Sequence, residues 1–217
     1  MSATPGQAEG RPLRSDAANN KERVLVAAAA AIRRQGLKVP IAEIAAAAGV
    51  GVGTVYRHYP SRADLIDALS ARSYQLVLEH ARAAATSQCA ATEAITDFLE
   101  QTIAARNDLI LPLHSGPVSF DPRTVALRTE ISDLLEQVLQ RGRADGTIRP
   151  DIGAIDLIIT GAMLAQPLAN TPNWDQLARR QVAIFMSGIS STETKPLPGR
   201  RPERKDLETG FEQAKQA

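Results

Sequence analysis

The sequence predicts an all-α protein, with an amino-terminal three-helix helix-turn-helix head followed by a helical bundle, about nine helices in all. Three observations lead there. Alanine-rich runs such as Ala27 to Ala31 favour helix over strand. No segment alternates apolar and polar residues long enough to suggest a sheet. Third, the stretch Ile41 to Asp67, IAEIAAAAGVGVGTVYRHYPSRADLID, reads as a short helix, a glycine turn, a second short helix and a capped start to a longer one. That order is how a helix-turn-helix presents one helix to the major groove of DNA.

The elements follow in turn. Residues 1–18 are polar and rich in Gly and Pro, and are expected to be a disordered tail. Asn19 or Asn20 offers a cap for a first helix that runs to about Gln35, where Gly36 ends it. Pro40 suits the first turn of the second helix, which runs to Ala48. Gly49 makes the turn, a third helix covers about Gly51 to His58, and Pro60 stops it. Ser61 with Asp64 forms a capping-box-like start for the fourth helix, to about Ala85.

A fifth helix covers about Thr92 to Arg106. Asp108 to Phe120, broken by Pro112, Gly116 and Pro117, reads as a short helix plus loop. Asp121-Pro122 starts the seventh helix, along which Leu127, Ile131, Leu134, Leu135 and Val138 recur at helical spacing; Gly146 closes it. Asp151 is the expected cap of the eighth helix, which continues to about Leu168 and is apolar almost all round. It must therefore be buried, in the core or against another chain. Asn173 is the expected cap of the ninth, to about 190. Residues 193–217, with Pro196, Pro198 and Pro202, read as a flexible tail in which Leu207 to Ala217 can be transiently helical.

Charge is unevenly spread. Residues 1–85 carry a net +4, residues 86–192 a net −4 and the remainder +1. A basic amino-terminal part beside an acidic second part suits a polyanion-binding head on a body that DNA would repel. Cys89 is the only cysteine, which rules out an intramolecular disulfide or a cysteine zinc cluster and fits a reducing compartment. The first residues lack the apolar stretch of a signal peptide, and no run approaches the roughly 20 apolar residues that span a bilayer, so a soluble cytoplasmic protein is expected.

Within the motif, Ile44 and Ala45 pack inward, Ala48 leaves room for a close crossing, and Val50 and Val55 plug the gap between the helices. Thr54, Tyr56, Arg57 and His58 are left to face outward in varying degrees. Here the sequence resembles the TetR family of bacterial repressors. The resemblance rests on Ile44-Ala45, Ala48-Gly49-Val50, Gly53-Thr54-Val55-Tyr56, His58-Tyr59, Ser61 and Leu65, and covers about residues 20–70. Gly51 stands where the family usually has Ser, Val55 where it has Leu, Tyr59 where it has Phe, and Arg62 where it has Lys. The segment Gly146 to Asp151 with the apolar helix after it resembles the linker and eighth helix of one branch of the family.

The resemblance implies a homodimeric repressor, with a DNA-binding domain at 19–70 and a ligand-binding and dimerisation domain at 71–192, localised to the bacterial cytoplasm and its nucleoid. A small-molecule effector would shift the two recognition helices and release a palindromic operator. Carried over residue by residue, Thr54 would touch a base or phosphate and Tyr56 a phosphate. Arg57 and His58, at the end of the recognition helix, would reach bases or backbone, with His58 alternatively only packing or capping. Arg62 would bind phosphate by its charge and by the helix dipole. Val52 and Gly53 offer apolar contact with a thymine methyl. Pro40 and Ile41 stand where the family commonly has a hydroxyl that caps helix two and touches phosphate, so the head relies on fewer such contacts.

In the body, Phe98, Ile103, Leu127, Ile131, Leu134 and Met163 are expected around a cavity, with Thr102, Arg106, His114 and Gln166 as polar anchors. A mostly apolar pocket with few polar groups is what a small-molecule site needs, although any one of these side chains taken alone reads sooner as core filling than as lining. His114 lies on the kinked segment that would act as a gate. Helices at 151–168 and 173–190 would form the dimer interface as a four-helix bundle. No enzyme is expected. His58, His80 and His114 are scattered, and the chain lacks H-E-x-x-H, a phosphate loop and G-x-S-x-G. No catalytic residue, metal or cofactor is assigned. The competing possibility is a helical interaction adaptor whose head does not bind DNA.

Overall fold

Helix is the only regular structure among the described residues, as the alanine content and the absence of alternating segments require. The computed structural model describes residues 11–111, 118–190 and 195–216. They form α1 (Arg11–Gln35), α2 (Ile41–Ala48), α3 (Val52–His58), α4 (Arg62–Thr86), α5 (Ala91–Ala104), a 3₁₀ turn (Ala105–Asp108), α6 (Pro122–Ala144), α7 (Ala154–Leu164), α8 (Trp174–Ile189) and α9 (Arg204–Gln216). No helix is long and apolar enough to cross a membrane, among the described residues.

The chain divides into two compact units, Met1–Leu69 and Ser70–Ala217. In the first, α1 begins at Arg11, ahead of the Asn19/Asn20 start that the sequence suggests, so residues 11–18 are helix rather than tail. Pro12 suits a first helical turn, and no Gly or Pro interrupts the run from Leu13 to Gln35. Gly36, at φ 80°, ends α1, and its N–H donates to the Ile32 carbonyl at 2.6 Å. Val24, Ala28, Ile44, Ala45, Val55, Leu65 and Leu69 bury almost completely, and this small core sets α2 and α3 at their angle.

In the second unit, α5 is the axis. Ile95, Phe98, Leu99 and Ile103 join Leu78 and Ala81 of α4, Leu135 and Leu139 of α6, Leu157 of α7 and Val182 of α8 in one cluster. Each fully buried leucine there contributes about 2 kcal/mol of transfer free energy before entropy is counted. Asp121 caps α6, accepting from the N–H groups of Arg123 (3.0 Å) and Thr124 (3.2 Å), with Pro122 in the first turn. Arg141 Nη1 donates to the Ser87 carbonyl at 3.0 Å, beyond the end of α4.

Three local expectations are corrected. Asp151 does not cap α7. Gly153 occupies that position and its N–H donates to Asp156 at 2.8 Å, while Asp151 pairs with Arg149 and accepts from the Leu197 N–H at 3.1 Å. A two-residue separation from a buried arginine suits pairing better than reaching forward over a glycine. Asn173 holds the cap position of α8, but in a left-handed conformation (φ 59°) and without a side-chain cap bond. Finally, residues 204–216 of the expected flexible tail are α9, which packs on the unit. Leu207 and Phe211 are four residues apart, on one face, and Phe211 is buried.

Candidate functional site

The head surface is built from the turn outward. Gly49 takes φ 65°, ψ 37°, and its N–H closes on the carbonyls of α2. A Cβ there would lie 2.6 Å from Nη2 of Arg23, the end of a flexible side chain that can swing aside, so it is the backbone sign that favours glycine. Gly51 then starts α3, with the Thr54 N–H donating to its carbonyl at 2.9 Å. Val55 (1% exposed) and Tyr59 (3%) turn inward and fix the rotation of α3. The Tyr59 hydroxyl donates to the Lys21 carbonyl at 3.4 Å, and burial, with the nearby Glu22 charge, pushes its phenol up to about 12.

With those two residues inward, the opposite face of α3 is open. Val52 (40% exposed), Gly53, Tyr56 (49%) and Arg57 stand in solvent, and Thr54 is half-buried between them. This brings five of the seven sequence-assigned residues to one surface. His58 departs from them. It is half-buried, its Nε2 is shielded without a hydrogen-bond partner, and its ring is tilted 55° against Tyr59 at 6.4 Å.

Arg62 departs further. Its Nη1 donates to the Leu37 carbonyl at 2.7 Å and its Nη2 to the Val39 carbonyl at 2.6 Å. Both terminal nitrogens thus brace the connection between α1 and α2 in place of standing free for a phosphate. Those carbonyls lie beyond Gly36, where no helix satisfies them, and a guanidinium fork can hold both at once. The expected capping box is present beside it. The Ser61 N–H donates to Asp64 at 2.9 Å, and the Asp64 N–H returns to the Ser61 hydroxyl at 3.2 Å. Pro40 is the N-cap of α2, one residue ahead of the first-turn position that the sequence suggests, and it makes no side-chain cap bond.

The second unit holds a cavity of about 90 Å³. Phe98, Thr102 and Ile131 line it, as the sequence suggests, together with Tyr74, Arg128 and Ile158. Ile103 and Leu127 are buried core and Leu134 packs partly against that core, all outside the lining. Met163 is 69% exposed and Gln166 is also exposed, so neither faces the cavity. Arg106 is likewise turned away. Its Nη1 donates to the Ile103 carbonyl at 3.1 Å and pairs with Asp175 at 2.6 Å. His114 lies outside the described residues.

Sequence reasoning missed Arg128, Tyr74 and the α9 residues of the lining. Arg128 sits one position after Leu127 on the apolar face of α6, and a cation interrupting that face is the signal that could have found it. Its guanidinium carbon lies 5.8 Å from the Tyr74 ring centroid and 5.4 Å from that of Phe211, and its Nη1 donates to the Ser119 carbonyl at 2.9 Å. Burial pushes the Tyr74 phenol up, against the opposing pull of Arg128.

A third surface lies on α7 and α8. Met163, Leu177 (39% exposed) and Ile184 (55%) expose apolar side chains, while Leu157 and Val182 on the same helices are fully buried. The Trp174 indole N–H donates to the Leu164 carbonyl at 2.8 Å and ties the start of α8 to the end of α7. No group of three or more potential metal ligands occurs among the described residues.

Residues 24–69 match the family model of bacterial regulatory proteins of the tetR family, and residues 90–191 match the carboxy-terminal domain of SbtR-like transcriptional regulators. No curated protein matches the chain. Among solved structures, the TetR transcription regulatory protein from Mycobacterium vanbaalenii is 27% identical, with a TM-score of 0.59 over 83% of this chain and 100% of its own. The ketosteroid transcriptional regulator KstR2 of Mycobacterium tuberculosis is 19% identical, with a TM-score of 0.60 over 87% and 100%. AibR, solved in complex with isovaleryl coenzyme A and operator DNA, is 18% identical, with a TM-score of 0.61 over 76% and 97%.

Proposed function

We propose, from the premise that this chain belongs to the TetR family of bacterial regulatory proteins, that it is a homodimeric repressor released from a palindromic operator by a small-molecule effector. That it is a DNA-binding transcriptional regulator follows from the family. The observation that carries the proposal is the division of α3 into two faces. Val55 and Tyr59 are locked into the head, which leaves Val52, Gly53, Thr54, Tyr56 and Arg57 as one surface for the major groove. Arg57 supplies the guanidinium for a guanine edge or a phosphate, and Tyr56 a phenol for the backbone.

The homodimer is supported by the apolar face of Met163, Leu177 and Ile184, which a second copy would cover through α7 and α8. Two heads would then stand about 34–36 Å apart, the spacing of successive major grooves. Effector binding is supported by the cavity beside α5 and α6, whose described lining is apolar except for Tyr74, Thr102, Ser132 and the charges of Arg128, Arg204 and Glu208. No enzymatic chemistry is assigned to any of these groups.

The test is genome-wide recovery of DNA bound to the purified full chain at moderate salt, followed by gel-shift titration of the enriched site. Recovery of a palindrome that wild type binds and Arg57→Ala releases supports the proposal. Absence of any sequence preference overturns it in favour of an interaction adaptor.

A further inference from the structure

The cavity is too small as it stands. Its volume is about 90 Å³, whereas small-molecule sites run from roughly 300 Å³ upward. One of its walls is α9, which contributes Arg204, Leu207, Glu208 and Phe211. Apart from the Leu207–Phe211 stripe, polar pairs at the edge hold this helix. Arg204 reaches Asp133 at 3.9 Å and Arg201 reaches Glu136 at 3.6 Å, both on α6, while Asp206 pairs with Arg200 and accepts from the Glu203 N–H at 2.8 Å within the segment itself, which fixes the first turn of α9. Partly exposed pairs of this kind contribute little each. A helix so held opens far more readily than the core it covers.

Beneath α9 lies an unmet donor. Arg128 Nε is buried with no acceptor, and among the described residues no carboxylate lies within ion-pairing distance of that guanidinium. Thr102, 7% exposed, also has a hydroxyl without a partner. Glu208, the one carboxylate among the described residues of the lining, is engaged with Arg204 at 3.5 Å. The Ser119 carbonyl takes Nη1 at 2.9 Å and the rings of Tyr74 and Phe211 compensate the Arg128 charge in part, but no anion among the described residues balances it, and an anion would do so with a charge-assisted hydrogen bond.

We infer that α9 is a tethered stopper of this cavity, and that the effector which displaces it is an apolar monocarboxylic acid, its carboxylate on Arg128 and its hydrocarbon among Phe98, Ile131 and Ile158. Phe211 leaves the guanidinium as the acid arrives. The inference rests on the cavity being the effector site and adds the class of ligand and the element that must move.

The experiment titrates the full chain with octanoate, with 1-octanol as the uncharged control, and follows amide hydrogen exchange in α9. Octanoate is expected to bind about tenfold tighter than octanol and, at saturation, to speed exchange at 204–213. Asp206→Asn, which is outside the cavity lining, is expected to raise octanoate affinity several-fold by fraying the first turn of α9, the turn that carries the lining residues Arg204 and Leu207. Arg128→Gln is expected to bind acid and alcohol alike. Unchanged α9 exchange at saturation, or unchanged affinity in Asp206→Asn, overturns the stopper. Equal binding of acid and alcohol by wild type, or no octanoate binding to either wild type or Asp206→Asn, overturns the acid. Operator release is measured in the same samples. Octanoate that opens α9 while the operator stays bound supports the stopper and overturns ligand-controlled release.

Discussion

The guanidinium carbon of Arg128 on α6 lies over the ring of Phe211 on α9, 5.4 Å from its centroid, and over the ring of Tyr74 at 5.8 Å. This contact joins the middle of the bundle to the last helix of the chain. It makes α9 part of the body, and it places a cation in a cavity that is otherwise largely apolar.

The commitment of Arg62 to two carbonyls separates stability from DNA contact. Arg62→Ala is expected to destabilise the head by about 2 kcal/mol, since two charge-assisted bonds are lost and two acceptors are left to water. Urea unfolding followed by circular dichroism checks this. An unchanged midpoint would return Arg62 to the role of a free phosphate ligand.

Arg57→Ala should behave oppositely. Its side chain is exposed, so stability should stay within about 0.5 kcal/mol of wild type, while operator affinity falls by about 1–3 kcal/mol. Tyr56→Phe, if the phenol donates to phosphate, should weaken all sequences alike. Gel-shift titrations on operator and scrambled DNA distinguish the two.

Gly49→Ala forces a Cβ into a left-handed residue and against Arg23. A cost of about 1–2 kcal/mol is expected from the backbone sign alone. Arg23→Ala in the same background should recover only the part due to contact, as read by thermal melting of the head.

Docking of α9 should depend on pH in acid only. Arg200 and the Glu203 N–H hold Asp206 down at about 2, and Arg149 and the Leu197 N–H hold Asp151 at about 2. A carboxylate whose value is depressed on folding stabilises the fold fully above its unfolded value, about 3.9. That contribution is lost as pH falls through about 2. Amide exchange in 204–213, corrected for its intrinsic acid dependence, should therefore report constant protection from pH 7 to about 4 and a decline below it. A decline near neutrality would contradict these pairings.

Ile184→Asp places a charge in the exposed apolar face of α8. The variant is expected to sediment as a monomer with its helical content intact, and to lose operator affinity because one head alone contacts half a site. A dimer that persists in Ile184→Asp, and also in Met163→Glu, would move the interface elsewhere.

Much of the head was legible because its signals are local. Gly36 and Gly49 occupy positive φ, Ser61 and Asp64 exchange their hydrogen bonds, and Val55 and Tyr59 fall on the inner side of a helix two turns long. The candidate cavity was legible only in part. Periodicity places Phe98, Thr102 and Ile131 on inward faces, but Met163 belongs to a helix apolar all round, whose pattern gives no direction. Arg106 and Arg62 each carry a charge that the sequence offers to a ligand and the fold gives to Asp175 or to backbone carbonyls. The proline-rich approach to α9 reads as a tail until its partner Arg128 is in place.

The sequence by itself determined that this chain is helical, where its head turns, and which face of α3 is open, because helix propensity, glycine backbone freedom and apolar spacing act within a few residues. Only the tertiary structure decided where Arg62 spends its hydrogen bonds, that Met163 points outward and that Phe211 covers Arg128. An amphipathic face or a free cation in a sequence states that something must meet it. What meets it is fixed by segments far away in the chain, brought together when the core closes.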